Sequence, residues 1–314
     1  MKKKILVTCP PMLQSLDLCL EKFENYDLDV VAPEVVQTLS EQELIDLVPN
    51  VDGWIIGDDP ATKAVFQAGR MGKLRAAVKW GIGTDNVDFT ACEDLGIPIT
   101  NTPNMFGREV ADVAMGYIIG LARETFLIDR QVRLGNWVKP AGISLQGKNV
   151  GLVGFGDIGK NVHKRLIASD MNVTIYDPYA KFDNDNVNTV HRMWPDNVGD
   201  LDFLVFTCSL TESSYHMFND SILEQLKPGV RIVNVGRGGL INEKSLEDGL
   251  KTGVLYSAAL DVFEEEPISQ DSYLLEHPRC VLGTHNSSNT VEAVVRTSYK
   301  AIDQINKYLS SEAV

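Results

Sequence analysis

The chain has 314 residues, 44% of them hydrophobic and 23% charged, with a formal net charge of −14 at pH 7. That length accommodates two ordinary domains with separate cores, and the composition excludes a disordered or fibrous protein. The acidic excess argues against a nucleic-acid or membrane-surface binder, and an acid ligand would need local cations, for which Arg237 and Lys79 are the candidates.

Lys2 to Lys4 precede an apolar run of only Ile5 to Val7 before Pro10-Pro11, too short for a signal peptide and better suited to a first strand. No stretch approaches the ~20 apolar residues of a membrane span. Strand patterns follow at Leu28 to Ala32, Trp54 to Ile56, Ala76 to Val78 and Ile97 to Ile99. Helical patterns lie between them, such as Ser40 to Val48, where Ser40 and Glu43 form a capping box. Asn101-Thr102-Pro103-Asn104 breaks this series, and a long helix is predicted from about Arg108 to Arg123. Its Ala111, Ala114, Gly116 and Gly120 permit close packing. A second series has strands at Val150 to Val153, Val173 to Tyr176, Phe203 to Phe206, Arg231 to Val235, Ser257 to Leu260 and Cys280 to Gly283. A helix from Thr290 to Leu309 closes the chain. Alternation of this kind predicts an α/β fold of two doubly wound, mostly parallel sheets, with ligands at the carboxyl ends of the strands. Five cysteines form no Cys-x-x-Cys pair and read as reduced thiols of a cytoplasmic protein, and no metal site is expected.

The first apolar run of the second series ends in Gly-Phe-Gly-Asp-Ile-Gly, residues 154 to 159, and a helical pattern follows. Gly154 permits a tight turn, Gly156 close approach of a pyrophosphate and Gly159 helix–strand packing, while the helix start offers N–H groups to phosphates. Asp177, 18 residues after Gly159, suits adenosine ribose hydroxyls and repels a 2′-phosphate, which favours NAD over NADP; it also suits a simple turn with Pro178. Downstream come Val235-Gly236-Arg237-Gly238-Gly239, Asp261-Val262-Phe263, Glu266-Pro267 and His285. An arginine at a strand's end grips a carboxylate bidentately, and an imidazole exchanges a proton with a carbonyl oxygen. A carboxylate beside that imidazole orients it and favours its protonated form. Of the other histidines, His163 reads as a helix residue and His191, His216 and His277 as loop residues. Glu264 and Glu265 read as solvent-facing. The set Arg237, Glu266 and His285 matches hydride transfer to a 2-keto acid.

Together with Lys79 to Asp88 and Asn101 to Asn104, these motifs resemble the D-isomer-specific 2-hydroxyacid dehydrogenases, in particular the phosphoglycerate dehydrogenase-like branch, over essentially the whole chain. The resemblance implies a Rossmann NAD domain (101–286) inserted in a flavodoxin-like substrate domain (1–100 and 287–314), and a homodimer built on the long helix after residue 104 and the following arm. It implies catalytic roles for Arg237, Glu266 and His285. Lys79 and the backbone of Gly81, Ile82 and Gly83 would meet the substrate. Asp157, Ile158, Asp177, Cys208, Val235 and Asp261 would line the cofactor beside the three glycines. Asn286 to Asn289 and Cys208-Ser209 depart from the family pattern. Where the branch often carries arginines, this chain has Gly57-Asp58 and Lys79, which weakens the case for a phosphorylated substrate. A C-terminal regulatory domain, and serine feedback through it, is not expected. The implied activity is oxidation of a D-2-hydroxy acid or reduction of its keto acid, with 3-phosphoglycerate, hydroxypyruvate or glyoxylate as candidates. The rival of another class is a non-catalytic NAD-sensing interaction protein, disfavoured by the intact triad. Formate oxidation is disfavoured by Glu266.

Overall fold

Alternating apolar strands and amphipathic helices build two compact units in the computed structural model, Met1–Met105 with Asn289–Val314, and Phe106–Ser288. The structure describes residues 2–181 and 187–311. Positions 1 and 312–314, which belong to the expected substrate domain, lie outside the described residues, as does 182–186.

The first unit carries five strands: β1 (Lys3–Val7), β2 (Leu28–Val31), β3 (Gly53–Ile56), β4 (Ala76–Lys79) and β5 (Ile99–Asn101). All pair in parallel in the order β2-β1-β3-β4-β5, a flavodoxin-like arrangement. Both faces are covered, so β3 and β4 are buried at every residue. Leu6, Trp54, Ile56, Phe66 and Ala77 pack in one core cluster, each large side chain contributing about 1.5–3 kcal/mol relative to exposure. Helix Val291–Ser311 packs against β3 and β4, and Trp80 donates to Ser298 at 3.1 Å. The predicted capping box is formed: Ser40 accepts from Glu43 N, and Glu43 accepts from Ser40 N, at the start of helix Glu41–Leu47.

The second unit holds β6 (Asn149–Val153), β7 (Asn172–Tyr176), β8 (Thr189–Arg192), β9 (Phe203–Phe206), β10 (Val230–Asn234), β11 (Leu255–Leu260) and β12 (Cys280–Leu282). Their order is β12-β11-β10-β9-β6-β7-β8, all parallel. This is the doubly wound Rossmann order with its switch point between β6 and β9. Helix Gly107–Arg123 packs against helix Asp157–Ala168 and on β10 and β11.

Two sequence readings differ from the structure, and one helix has no counterpart in them. The strand expected at Ile97 to Ile99 runs from Ile99 to Asn101, because Pro98 supplies no N–H to the ladder. His191 lies on β8 rather than in a loop; three of that strand's four residues are exposed, so no apolar run announces it. After Arg123 the chain does not leave helical geometry for long: Glu124 adopts a left-handed conformation (φ 58°) and helix Thr125–Arg133 follows.

Candidate active site in the dinucleotide-binding unit

The turn after β6 is held by packing and by side chains from neighbouring strands. Gly154 has φ 95°, and a Cβ there would lie 2.6 Å from Cys208 N, so only glycine fits. A Cβ at Gly159 would overlap the Gly154 carbonyl, whereas one at Gly156 would meet open space. Thr207 donates its hydroxyl to the carbonyls of Val153 and Gly154, each at 3.0 Å. Helix Asp157–Ala168 starts at the end of the turn, and Asp157 accepts from Gly107 N at 3.0 Å. Ile158 beside it is partly exposed. Asp177 closes β7 and accepts from Phe155 N at 2.7 Å and Tyr179 N at 2.8 Å, so it braces the turn as well as beginning one of its own. The Cys208 thiol is pushed up to about 12 by burial, which keeps it a neutral thiol. An exposed glycine with clearance at a helix N-terminus, backed by braced strands, fits a pyrophosphate.

Arg237 leaves the carboxyl end of β10, after the buried Val235. Asn234 shapes that loop: its amide donates to the Arg237 carbonyl at 2.9 Å and its oxygen accepts from Gly236 N at 3.0 Å. A side chain on Gly238 would overlap the Phe263 backbone, so the loop after β10 lies directly on the loop after β11. The Arg237 guanidinium donates to the Gly236 carbonyl at 3.0 Å and is partly exposed.

Glu266 and His285 leave the next two strands, β11 and β12. Their side chains meet, His285 Nδ1 lying 2.8 Å from Glu266 Oε2. The other Glu266 oxygen accepts from Phe263 N at 3.0 Å, which fixes the carboxylate within its own loop. Accessibilities of 22% and 23% leave the pair within reach of a ligand. Asp261, just after β11, is buried, and both its oxygens accept N–H groups of Asn286 and Ser287. Glu264 is exposed, as its place in an acidic run predicts, but it also contacts His216 Nε2 and faces Glu243, whose carboxylate accepts from Glu264 N at 2.7 Å. His163 is a helix residue bonded to the Thr189 hydroxyl at 2.9 Å.

The remaining candidates lie in the first unit. Lys79, 2% exposed at the end of β4, donates to Asp58 at 2.9 Å and to the Gly57 carbonyl at 2.6 Å. The cation read from sequence is therefore neutralised by the neighbouring carboxylate. Gly81 (φ 121°) bonds through its N–H to the Thr102 hydroxyl at 2.7 Å. Ile82 is 40% exposed, and its carbonyl accepts from Asn101. Gly83 is partly exposed. Thr207 and Asn234, which order the two glycine loops, carried no signal beyond their place at strand ends.

Residues 115–287 match the family model described as D-isomer specific 2-hydroxyacid dehydrogenase, NAD binding domain. The chain belongs to this family. It is an NAD-dependent oxidoreductase of the D-2-hydroxyacid dehydrogenase type. A hydroxypyruvate reductase of Thermotoga maritima is 35% identical over 86% of this chain and 89% of its own length. A D-3-phosphoglycerate dehydrogenase of Methanocaldococcus jannaschii is 32% identical over 98% of this chain, which spans only 58% of that protein. The crystal structure of NAD+-bound 3-phosphoglycerate dehydrogenase from Entamoeba histolytica superposes with a TM-score of 0.81 at 22% identity, covering 100% of this chain and 97% of that one. At that identity the match establishes the dehydrogenase fold.

Proposed function

We propose that Arg237, Glu266 and His285 are the catalytic residues of this dehydrogenase, and that its substrate is a short unphosphorylated 2-keto acid such as hydroxypyruvate or glyoxylate. The Glu266–His285 contact of 2.8 Å carries the first part of the reading. Arg237 anchors the substrate carboxylate and polarises the adjacent carbonyl. With Nδ1 committed to Glu266, His285 Nε2 gives the proton to the carbonyl oxygen and takes it back in the reverse direction. When bound, NAD(H) supplies or accepts the hydride. Gly154, Gly156 and Gly159 with Asp157 and Ile158 would hold its pyrophosphate, Asp177 its adenosine ribose, and Val235, Cys208 and Asp261 would border it. The Phe106–Ser288 unit is then the NAD domain, and the backbone of Gly81 to Gly83 would meet the substrate, whereas Lys79 is committed to Asp58 and Gly57.

The Lys79–Asp58 pair supports the choice of substrate. A buried ammonium already neutralised by a carboxylate offers no net positive charge to a phosphate. The relative named hydroxypyruvate reductase, similar over nearly its whole length, points the same way.

A homodimer is part of this reading. Helix Thr125–Arg133 buries none of its residues, and Leu134 and Trp137 beyond it are 72% and 82% exposed, an apolar arm suited to a second copy. A cytoplasmic setting is supported by five unbridged cysteines. No helix among the described residues is long and apolar enough to cross a membrane.

Loss of NADH absorbance with a panel of 2-keto acids tests the reading. Hydroxypyruvate and glyoxylate are expected to turn over, with hydroxypyruvate preferred to its phosphate ester. A preference for the ester would overturn the substrate assignment. Tight NADH binding with no turnover of any keto acid would favour an NAD-sensing protein.

A further inference from the structure

The loops after β9, β10 and β11 meet at His216. Residues 216–218 of the first loop run beside residues 239–242 of the second. His216 N donates to the Gly239 carbonyl at 2.8 Å, Phe218 N to the Leu240 carbonyl at 3.1 Å and Asn242 N to the Phe218 carbonyl at 2.9 Å. His216 has φ 49°, a left-handed conformation that surrounding contacts must impose on a non-glycine residue. Its ring reaches the third loop, where the buried Nε2 contacts the Glu264 carboxylate. Asn242 fixes the tautomer. Its oxygen caps helix Glu243–Thr252 by accepting from Ser245 N at 3.0 Å, so its NH2 faces His216 Nδ1 at 3.3 Å. Nδ1 is therefore the acceptor, and the ring proton sits on Nε2, toward Glu264.

We infer that His216 is a positioning residue for the proton-exchanging pair: by holding Glu264 it fixes the turn that presents Glu266 and ties that turn to the loop bearing Arg237. This rests on the catalytic roles proposed above for Glu266 and His285. Glu264 lies two residues before Glu266, and the turn is closed from within by the Glu266 carboxylate, which accepts Phe263 N at 3.0 Å. On its other side Glu264 meets a second acid. Glu264 N donates to the Glu243 carboxylate at 2.7 Å, and Glu243 N donates to Glu264 at 3.4 Å. These reciprocal bonds set two carboxylates side by side. Burial raises the Glu243 carboxyl, and the charges of Glu264, Glu247 and Glu265 add to the effect. Like charges at this spacing would push the turn outward. The Nε2–H of His216 offsets that repulsion at Glu264. With the two side chains 25% and 34% exposed, the contact adds little to overall stability, and its effect lies in where the turn is held.

His216→Asn and His216→Gln, made in the full chain, separate the two ring nitrogens. Asn tolerates the left-handed backbone and puts an acceptor where Nδ1 faces Asn242, but it stops short of Glu264. Gln puts an NH2 where Nε2 meets Glu264 and loses the Nδ1 acceptor. Tm and steady-state turnover of the best keto acid at saturating NADH are measured for each, with His285→Ala as reference. Misplacing a reacting group by about 1 Å costs on the order of a hundredfold, so His216→Asn is expected to lose about ten- to hundred-fold in kcat. Its keto-acid KM should stay within about threefold of wild type, because the loss falls on proton transfer rather than binding. His216→Gln is expected to keep kcat within about threefold of wild type although its Tm falls further. A kcat that follows Tm through the two variants would overturn the inference, as would a fully active His216→Asn. Should neither variant fold, Glu264→Ala removes the same contact from the exposed side; it is expected to show the same loss of kcat, and wild-type kcat there contradicts the tether. Full activity of His285→Ala would sink the catalytic assignment instead. An inactive His285→Ala beside a fully active His216→Asn sinks only the tether.

Discussion

The guanidinium, carboxylate and imidazole of the proposed catalytic set are carried by loops that are built differently. Arg237 sits in a glycine loop bracketed by Asn234, whose side chain bonds the backbone on both sides of it. Its role depends on a planar fork, so Arg237→Lys keeps the charge and loses the bidentate grip. Loss of one charge-assisted hydrogen bond is worth about 1.5–3 kcal/mol, and kcat/KM is expected to fall about ten- to hundred-fold with every keto acid. NADH affinity, measured by fluorescence titration, should stay near wild type. Near-normal kcat/KM would remove Arg237 from the substrate. Sequence reading singled out Arg237, Glu266 and His285 because each stands beside a glycine, a proline or a strand end. The amides of Asn286 and Ser287 that the Asp261 carboxylate accepts leave no mark in a sequence.

Among the elements, those that bury a continuous apolar run were legible to within a residue or two, as β9 and the capped helix Glu41–Leu47 illustrate. Elements with little buried surface were not. The edge strand β8 exposes three of its four residues and helix Thr125–Arg133 buries none, so hydrophobic periodicity had nothing to register. The glycine turn separates two requirements that its motif lists together. Gly154→Ala forces a side chain onto Cys208 N at φ 95°, at a cost of about 1–3 kcal/mol. It is expected to lower both Tm and NADH affinity. Gly156→Ala meets only open space, so Tm should hold while NADH affinity falls. Thermal melts beside NADH titrations check this. A Gly156→Ala protein with unaltered NADH affinity would show that the cofactor does not approach that backbone.

For the whole molecule, two separate parallel sheets carry the candidate groups, one the glycine turn with the Glu266–His285 pair and the other the Asp58–Lys79 ion pair. With a net charge of −14, identical copies repel at long range, and association must come from apolar contact. If the proposed dimer forms on the exposed arm, Trp137→Glu is accordingly expected to convert it to a monomer in sedimentation velocity. A wild-type protein that is monomeric at micromolar concentration would contradict the dimer.

The central claim is that Glu266 acts through His285. A double-mutant cycle on kcat/KM for keto-acid reduction measures it directly. His285→Ala removes the proton donor and should cost about 10²–10⁴-fold. Glu266→Gln keeps the shape but not the charge, and should cost about tenfold or more. Residues acting as one unit are strongly non-additive, so the double variant is expected to be no slower than His285→Ala alone. Losses that multiply in the double variant would show two independent groups and contradict the account.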